Sequence, residues 1–182
     1  MTFCIFKLKF RLEFPFFIVI GAALLLGYNN VLSLILFSSL HEAGHIASLI
    51  ALGGEVDIIR ISYYGVGLKH NSCLSTGKEV VFLLSGVAVN LLFSMLNISR
   101  EINLSLAFIN LLPVFPLDGG RVLNTVIKAV LPQTVADIII GVVTAAVVVL
   151  FIVLIFVYGL YSLSLILIYI IFYSLNYRGL YD

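Results

Sequence analysis

Long apolar runs constrain this chain more than any other feature of its sequence. A helix needs about 20 consecutive apolar residues to cross a bilayer. Runs of roughly this kind occupy residues 14–28, 31–52, 80–98, a proline-broken run from 102, and 135–177. The first run follows basic residues as a signal peptide does, but no cleavage pattern follows it, so we interpret it as a retained span. The last run has twice the required length and predicts a hairpin, which makes about six transmembrane helices in total.

The composition agrees with a membrane protein. Of the 182 residues, 62% are hydrophobic and 10% are charged, and the mean hydropathy is +1.21. A soluble protein of this length would need more polar surface to cover its core. The formal net charge of +1 lacks the basic excess of nucleic-acid-binding domains, so we expect no nucleic-acid partner. We predict an integral, multi-pass protein whose surroundings are a lipid bilayer.

The positive residues predict the orientation in the membrane. Cytoplasmic loops carry an excess of lysine and arginine. With six spans and a cytoplasmic N-terminus, nine of the ten such residues are cytoplasmic and only Arg100 lies outside. We therefore expect both termini in the cytoplasm. The polar loop 53–78 is then also cytoplasmic, and its β-branched and aromatic segment 56–64 predicts one or two short strands.

Three ionisable residues lie close together inside the second run, namely His41, Glu42 and His45. Ionisable groups are costly within a bilayer, so they mark functional sites. His41 and His45 are four apart and share a helix face, so both imidazoles can bind one metal ion. Glu42 is rotated off that face and can accept a proton from water that the metal activates. This zincin pattern, HExxH, predicts a Zn²⁺ site with Glu42 as the general base.

A further carboxylate can complete the metal site. A catalytic zinc ion takes three protein ligands and leaves one position for water. Asp118 is the remaining carboxylate at suitable depth, and it lies in the segment 110–121, NLLPVFPLDGGR. Two prolines three apart forbid a regular helix there, and the diglycine admits backbone angles that other residues resist. Irregular backbone at membrane depth lines a cavity, so we predict that this segment lines the site. The alternative is a kinked packing helix in which Asp118 caps the helix that follows.

At these residues the chain resembles the site-2 proteases, which are intramembrane zinc metalloproteases. That family is marked by HExxH in one span and NxxPxxxxDG in a later one, and the second motif is met by Asn110, Pro113, Asp118 and Gly119. The resemblance implies that Asp118 is the third zinc ligand and that Asn110 assists substrate or transition-state binding. The chain looks most similar to the branch that includes the sporulation protease processing the sigma-K precursor, which implies a bacterial cell membrane. Many members of that branch carry a CBS domain, which we expect this protein to lack.

The third run contains a second, weaker match to the same family. Residues 85–90, SGVAVN, are similar to the family's GPxxN pattern, with Val87 in place of the proline. The resemblance implies that Asn90 binds substrate. A hydrogen bond between helices is the alternative role for Asn90.

Taken together, the sequence predicts an all-α polytopic membrane protein with a three-helix site-2 protease core and a short β-forming cytoplasmic loop. We expect one membrane-embedded metalloprotease domain over residues 1–182, with the catalytic core at about 31–125 and a C-terminal hairpin at 135–177. The expected function is zinc-dependent hydrolysis of peptide bonds near the cytoplasmic side. The expected partners are membrane-associated or single-span protein substrates and regulatory membrane proteins.

Two rival functions stay open. A zincin of another family would need a later histidine or glutamate as its third ligand, and none of the candidates, His70, Glu55, Glu79 and Glu101, lies in a plausible span. A zinc transporter or a non-proteolytic homologue is the rival from another class. The intact Glu42 argues against an inactive homologue, and the lack of a histidine-rich loop argues against a transporter.

Overall fold

The computed structural model describes residues 2–5, 8–12, 29–54, 58–62, 65–69 and 74–159. The chain divides into two compact units, Met1–Ile109 and Asn110–Asp182. Within the described residues there are five helices, α1 at Asn29–Ala51, α2 at Thr76–Met95, α3 at Arg100–Leu111, α4 at Asp118–Lys128 and α5 at Gln133–Tyr158.

Three of the described helices have the length and composition of transmembrane spans. They are α1, α2 and α5, which correspond to the second, third and fifth predicted spans. Large apolar side chains such as Leu92 and Phe156 are exposed on them, as lipid-facing residues are. Helix α5 ends at Tyr158, and Gly159 adopts a left-handed conformation with φ 64°. The predicted first span and the second half of the C-terminal hairpin lie outside the described residues, so the number of six spans stays a prediction.

The fourth apolar run differs from the single broken span that its sequence predicts. It forms two short helices, α3 with 12 residues and α4 with 11, separated by the irregular segment 112–117. Neither helix reaches the length of a transmembrane span. Pro113 and Pro116 explain the interruption because each lacks a backbone N–H and clashes with a preceding helical turn. The peptide bond before Pro116 is cis.

A four-stranded sheet adds a β component that is larger than the short loop predicted for an all-α protein. The strands are β1 at Thr2–Ile5, β2 at Leu8–Leu12, β3 at Ile58–Ser62 and β4 at Gly65–Lys69, in that spatial order. Both hairpins are antiparallel, and β2 pairs with β3 in parallel. Strand β3 lies within the 56–64 segment that was predicted to form strands, whereas β4, which begins at Gly65, and the strands β1 and β2 were not predicted.

Helices α1 and α2 pack closely within the first unit. At Gly44 of α1, an added Cβ atom would lie 2.7 Å from Val89 Cγ2 and 3.1 Å from the Ser85 carbonyl oxygen. Only a glycine allows the backbones to approach this far, so α1 and α2 are in close contact at Gly44. At the end of the pair, Lys78 Nζ donates to the carbonyl oxygen of Leu52 at 3.2 Å. The two helices therefore run antiparallel with these ends on one side.

Candidate metal centre

Two buried histidines meet on the face of α1 that packs against α2. His41 and His45 lie one helical turn apart, and each is 3% exposed. Their ring centroids are 4.8 Å apart with planes at 84°, and the two Nε2 atoms are separated by 3.1 Å. The helical spacing of four residues therefore brings both imidazoles together, as predicted.

Each imidazole is oriented by a hydrogen bond at its other nitrogen. His45 Nδ1 lies 2.8 Å from the Phe82 carbonyl oxygen, which can only accept, so His45 donates from Nδ1. His41 Nδ1 lies 2.6 Å from Asn90 Oδ1. The Asn90 amide nitrogen donates to Asn103 Oδ1 at 2.9 Å, which assigns the Asn90 oxygen to the side of His41. His41 therefore also donates from Nδ1.

In the neutral form of each ring, these hydrogen bonds place the lone pair on Nε2. Two lone pairs 3.1 Å apart repel each other unless a proton or a cation lies between them. A neutral imidazole whose other nitrogen donates a hydrogen bond is the usual form of a histidine that binds zinc. The chemistry of this donor pair therefore fits a zinc ion.

Gly86 on α2 lies directly beside the two ligand nitrogens. An added Cβ atom would lie 2.5 Å from His45 Nε2 and 2.6 Å from His41 Nε2, closer than any real side chain contact. Any larger residue would occupy the space beside both imidazoles. No role was predicted for Gly86, although it lies four residues before Asn90 and so shares a helix face with it. That spacing is the signal that links both residues to the histidines.

Asp118 is the first residue of α4 and is 7% exposed. The unpaired N–H groups at a helix N-terminus favour a carboxylate at this position. Arg121, one turn later, places Nη1 3.7 Å from Asp118 Oδ1. Asp118 belongs to the second compact unit, whereas the two histidines belong to the first.

The diglycine after Asp118 has a different role from the one predicted. Gly119 and Gly120 lie in the first turn of α4, and neither has a positive φ. An added Cβ at Gly119 would collide with the Leu111 carbonyl, and one at Gly120 would collide with the carbonyl of Val114. The glycines are therefore required because the start of α4 packs directly on the backbone before it. Neither glycine uses the positive φ angles that glycine admits.

The remaining predicted site residues are Glu42, Asn110 and Asn90. Glu42 follows His41 on α1 and is half-buried. Asn110 is the half-buried penultimate residue of α3, two residues before the irregular segment 112–117. Asn90 is fully buried and contacts His41. Asn103, also fully buried, was not identified from the sequence because its partner Asn90 lies on a different helix.

Comparisons with known proteins agree with this arrangement. Residues 80–155 match the sequence profile of Peptidase family M50. The structure is similar to that of the site-2 protease from Methanocaldococcus jannaschii, with a TM-score of 0.68 and 19% sequence identity over 94% of this chain and 92% of that one. No curated protein sequence matches the chain. The chain thus contains a region matching Peptidase family M50 and has the fold of a site-2 protease.

Proposed function

We propose that this protein is an intramembrane zinc metalloendopeptidase. The observation that carries the proposal is the buried histidine pair of α1, whose Nε2 atoms lie 3.1 Å apart while both Nδ1 atoms are held by hydrogen bonds. Such a pair on a helix of transmembrane length is costly to bury without a function. The fold of a site-2 protease and the match to Peptidase family M50 support a proteolytic function over other uses of a metal.

The proposed ligands are His41 and His45 through Nε2, with Asp118 as the third. The HExxH spacing of the histidines and the match of residues 110–119 to the family's second motif support this set. A bound zinc ion would supply Lewis-acid chemistry by polarising a water molecule and the scissile carbonyl group.

Glu42 is proposed to move the proton in this reaction. It accepts a proton from the attacking water as the new C–O bond forms, and it returns that proton to the leaving nitrogen as the C–N bond breaks. Its position directly after His41, off the face that the two histidines share, supports the role of base over that of ligand. Asn110 is proposed to hold the substrate backbone or the developing oxyanion.

The proposed substrates are membrane-associated or single-span proteins. A helical substrate shields its carbonyl groups, so it must be extended locally before cleavage. Strand β4 lies at one edge of the sheet and belongs to the loop proposed to be cytoplasmic. An extended substrate segment added to this edge would gain backbone hydrogen bonds. The sequence of segment 110–121 supports a relationship to the branch that includes the protease processing the sigma-K precursor. We also propose regulatory membrane proteins as partners.

The proposed topology has six spans, cytoplasmic termini and cleavage near the cytoplasmic side. His41 lies in the second half of α1, roughly 15 Å or more from the outer start of that span at 1.5 Å per residue. Cysteine introduced at Ser75 should therefore be labelled only after the cells are opened, because this exposed residue precedes α2 on the cytoplasmic side. Cysteine at Asn29 is the matched control and should be labelled from outside. Labelling of the Ser75→Cys variant in intact cells would overturn both the orientation and the cleavage side.

The Glu42→Gln variant separates a protease from a transporter or a passive binder. Glutamine preserves the size of the side chain but cannot accept a proton. We expect the purified variant to keep its zinc, while cleavage of a co-expressed single-span substrate falls by at least about 10² to 10⁴, the usual contribution of a general base. Metal analysis and gel cleavage of wild type and variant side by side measure both quantities. Undiminished cleavage by the variant would refute the proposed mechanism.

A further inference from the structure

Two asparagines that are completely buried connect α2 to α3 behind His41. Asn90 and Asn103 are each 0% exposed. Asn90 Nδ2 donates to Asn103 Oδ1 at 2.9 Å. Asn103 Nδ2 in turn donates to the backbone carbonyl oxygens of Ile98 at 2.9 Å and Ser99 at 3.3 Å. All four side-chain polar groups of the pair are thus engaged inside the protein.

The two backbone carbonyl oxygens at the end of this series determine the direction of every hydrogen bond in it. Backbone carbonyl oxygens only accept, so the nitrogen of Asn103 must face Ile98 and Ser99 and its oxygen must face Asn90. Asn90 must then present its nitrogen to Asn103 and its oxygen to His41. An oxygen at that position requires the proton on His41 Nδ1 and leaves the lone pair on Nε2. The turn before α3 therefore determines, through two amides, which nitrogen of His41 can bind a metal.

We propose that Asn103, acting through Asn90, is a positioning residue that sets the tautomer and the ring orientation of His41. This inference rests on the proposed function for its catalytic consequence, but the tautomer itself belongs to the metal-free protein. Groups that hydrogen-bond a ligating histidine typically contribute 10- to 100-fold, as an order of magnitude, to metal affinity or activity. Asn90 is thereby assigned to His41 in place of the substrate contact that its sequence motif implied.

The turn whose carbonyl groups accept the last hydrogen bonds of this series has an unusual backbone conformation. Asn97 and Ser99 both have positive φ values, 57° and 43°, which few residues other than glycine adopt. This geometry lies directly between α2 and α3 and presents the Ile98 and Ser99 carbonyl oxygens to one amide nitrogen. By contrast, His45 Nδ1 lies 2.8 Å from a backbone carbonyl oxygen of α2, to which it donates directly. Substitutions at Asn103 should therefore affect His41 and leave His45 unchanged.

The experiment compares three variants with wild type. Asn103→Leu removes both hydrogen-bonding groups. Asn103→Asp is the conservative variant, because a buried carboxylic acid is protonated and can donate to Ile98 while accepting from Asn90. Ser94→Ala is the matched control, since Ser94 is also buried on α2 and lies one turn beyond Asn90. If Asn103→Leu does not fold, Asn103→Ala gives the same prediction with less volume.

The first measurement is the ring tautomer by ¹⁵N NMR of histidine-labelled, metal-free protein, in which only three histidines contribute signals. We expect wild type, Asn103→Asp and Ser94→Ala to show His41 protonated at Nδ1. Asn103→Leu should shift His41 towards the Nε2–H tautomer while His45 stays unchanged. An unchanged His41 in Asn103→Leu, or an equal change at His45, would overturn the proposal.

The second measurement is zinc affinity by competition with a chelating dye. We expect a loss of about 10- to 100-fold in Asn103→Leu and values within about threefold of wild type in Asn103→Asp and Ser94→Ala. Equal affinity in Asn103→Leu and Ser94→Ala would overturn the positioning role. A wild type that binds no zinc would instead refute the proposed function, while the tautomer measurement still decides the role of Asn103.

Discussion

The α1–α2 helix pair and the segment 110–121 position their proposed metal ligands by different means. In the helix pair, the histidines lie on a regular helix, and hydrogen bonds from α2 orient their rings. In the segment 110–121, two prolines break the helix and Asp118 begins a new one on backbone that is packed beneath it. Orientation in the first region thus depends on side-chain hydrogen bonds, and in the second on backbone shape. We therefore expect substitutions in the two regions to have different effects on the protein.

The largest effect is expected at Gly86 in the helix pair. Gly86→Ala would place a methyl group within 2.6 Å of both Nε2 atoms, so the rings must move or the metal must leave. Displacement of catalytic groups by 1 Å can cost about 100-fold, so we expect at least that loss of cleavage, together with loss of zinc. The control is Gly77→Ala on the same helix, because an added Cβ atom at Gly77 would have no neighbouring atom within 4 Å. Zinc and activity at wild-type levels in Gly86→Ala would show that the rings are not confined by α2.

In the segment 110–121, Asn110→Ala should separate substrate binding from metal binding. If Asn110 holds the oxyanion or substrate backbone, turnover should fall by about 10²-fold while the zinc content stays normal. Steady-state cleavage and metal analysis of the same preparation measure both. Loss of zinc in this variant would assign Asn110 to the structure of the segment instead of to the reaction.

The backbone packing of the second region predicts an effect on stability. Gly120→Ala would force a methyl group against the Val114 backbone, which cannot move as a flexible side chain can. We expect a destabilisation of about 1–3 kcal/mol, as for other overpacked sites. Unfolding in detergent measures it, with Gly141→Ala as the control because that α5 glycine has open space around it. Equal stability of the two variants would contradict the packing described here.

The smallest effect is expected at Ser85. Its hydroxyl group donates to the Phe82 carbonyl oxygen at 2.6 Å and lies 3.3 Å from His45 Nδ1. Ser85→Ala leaves the stronger His45–Phe82 hydrogen bond in place, so zinc affinity should change by less than about threefold, well below the usual effect of removing an orienting group. A tenfold loss, measured by dye competition, would show that His45 depends on a side chain as His41 does.

The parts of the site that follow a helical period could be predicted from the sequence. His41 and His45 share a face because they are four residues apart, and that spacing depends on α1 alone. Pro113 and Pro116 likewise predicted a break, because proline acts on its own backbone. A helix following Asp118 was given only as the alternative for this segment. How closely that helix approaches the preceding backbone, and hence why two glycines are needed there, depends on three-dimensional packing.

The features that could not be predicted from the sequence depend on contacts between segments that are distant in the chain. Asn103 carries no motif, and its role requires knowing that Asn90 of another helix meets it. Strand β2 pairs in parallel with β3, some 50 residues later, so nothing near β2 in the sequence indicates its partner. Gly86 could have been linked to Asn90 by its spacing, but its closeness to both imidazoles depends on the packing of α1 against α2.

The central claim is that the histidine pair of α1 binds zinc through its two Nε2 atoms. Metal analysis with zinc X-ray absorption spectroscopy on purified wild type, Glu42→Gln and His45→Ala tests it most directly. We predict close to one zinc ion per chain in wild type and Glu42→Gln, with two imidazole nitrogens at about 2.0–2.1 Å, and its loss in His45→Ala. A wild type without zinc, or with a zinc ion that has no imidazole ligands, would contradict the account.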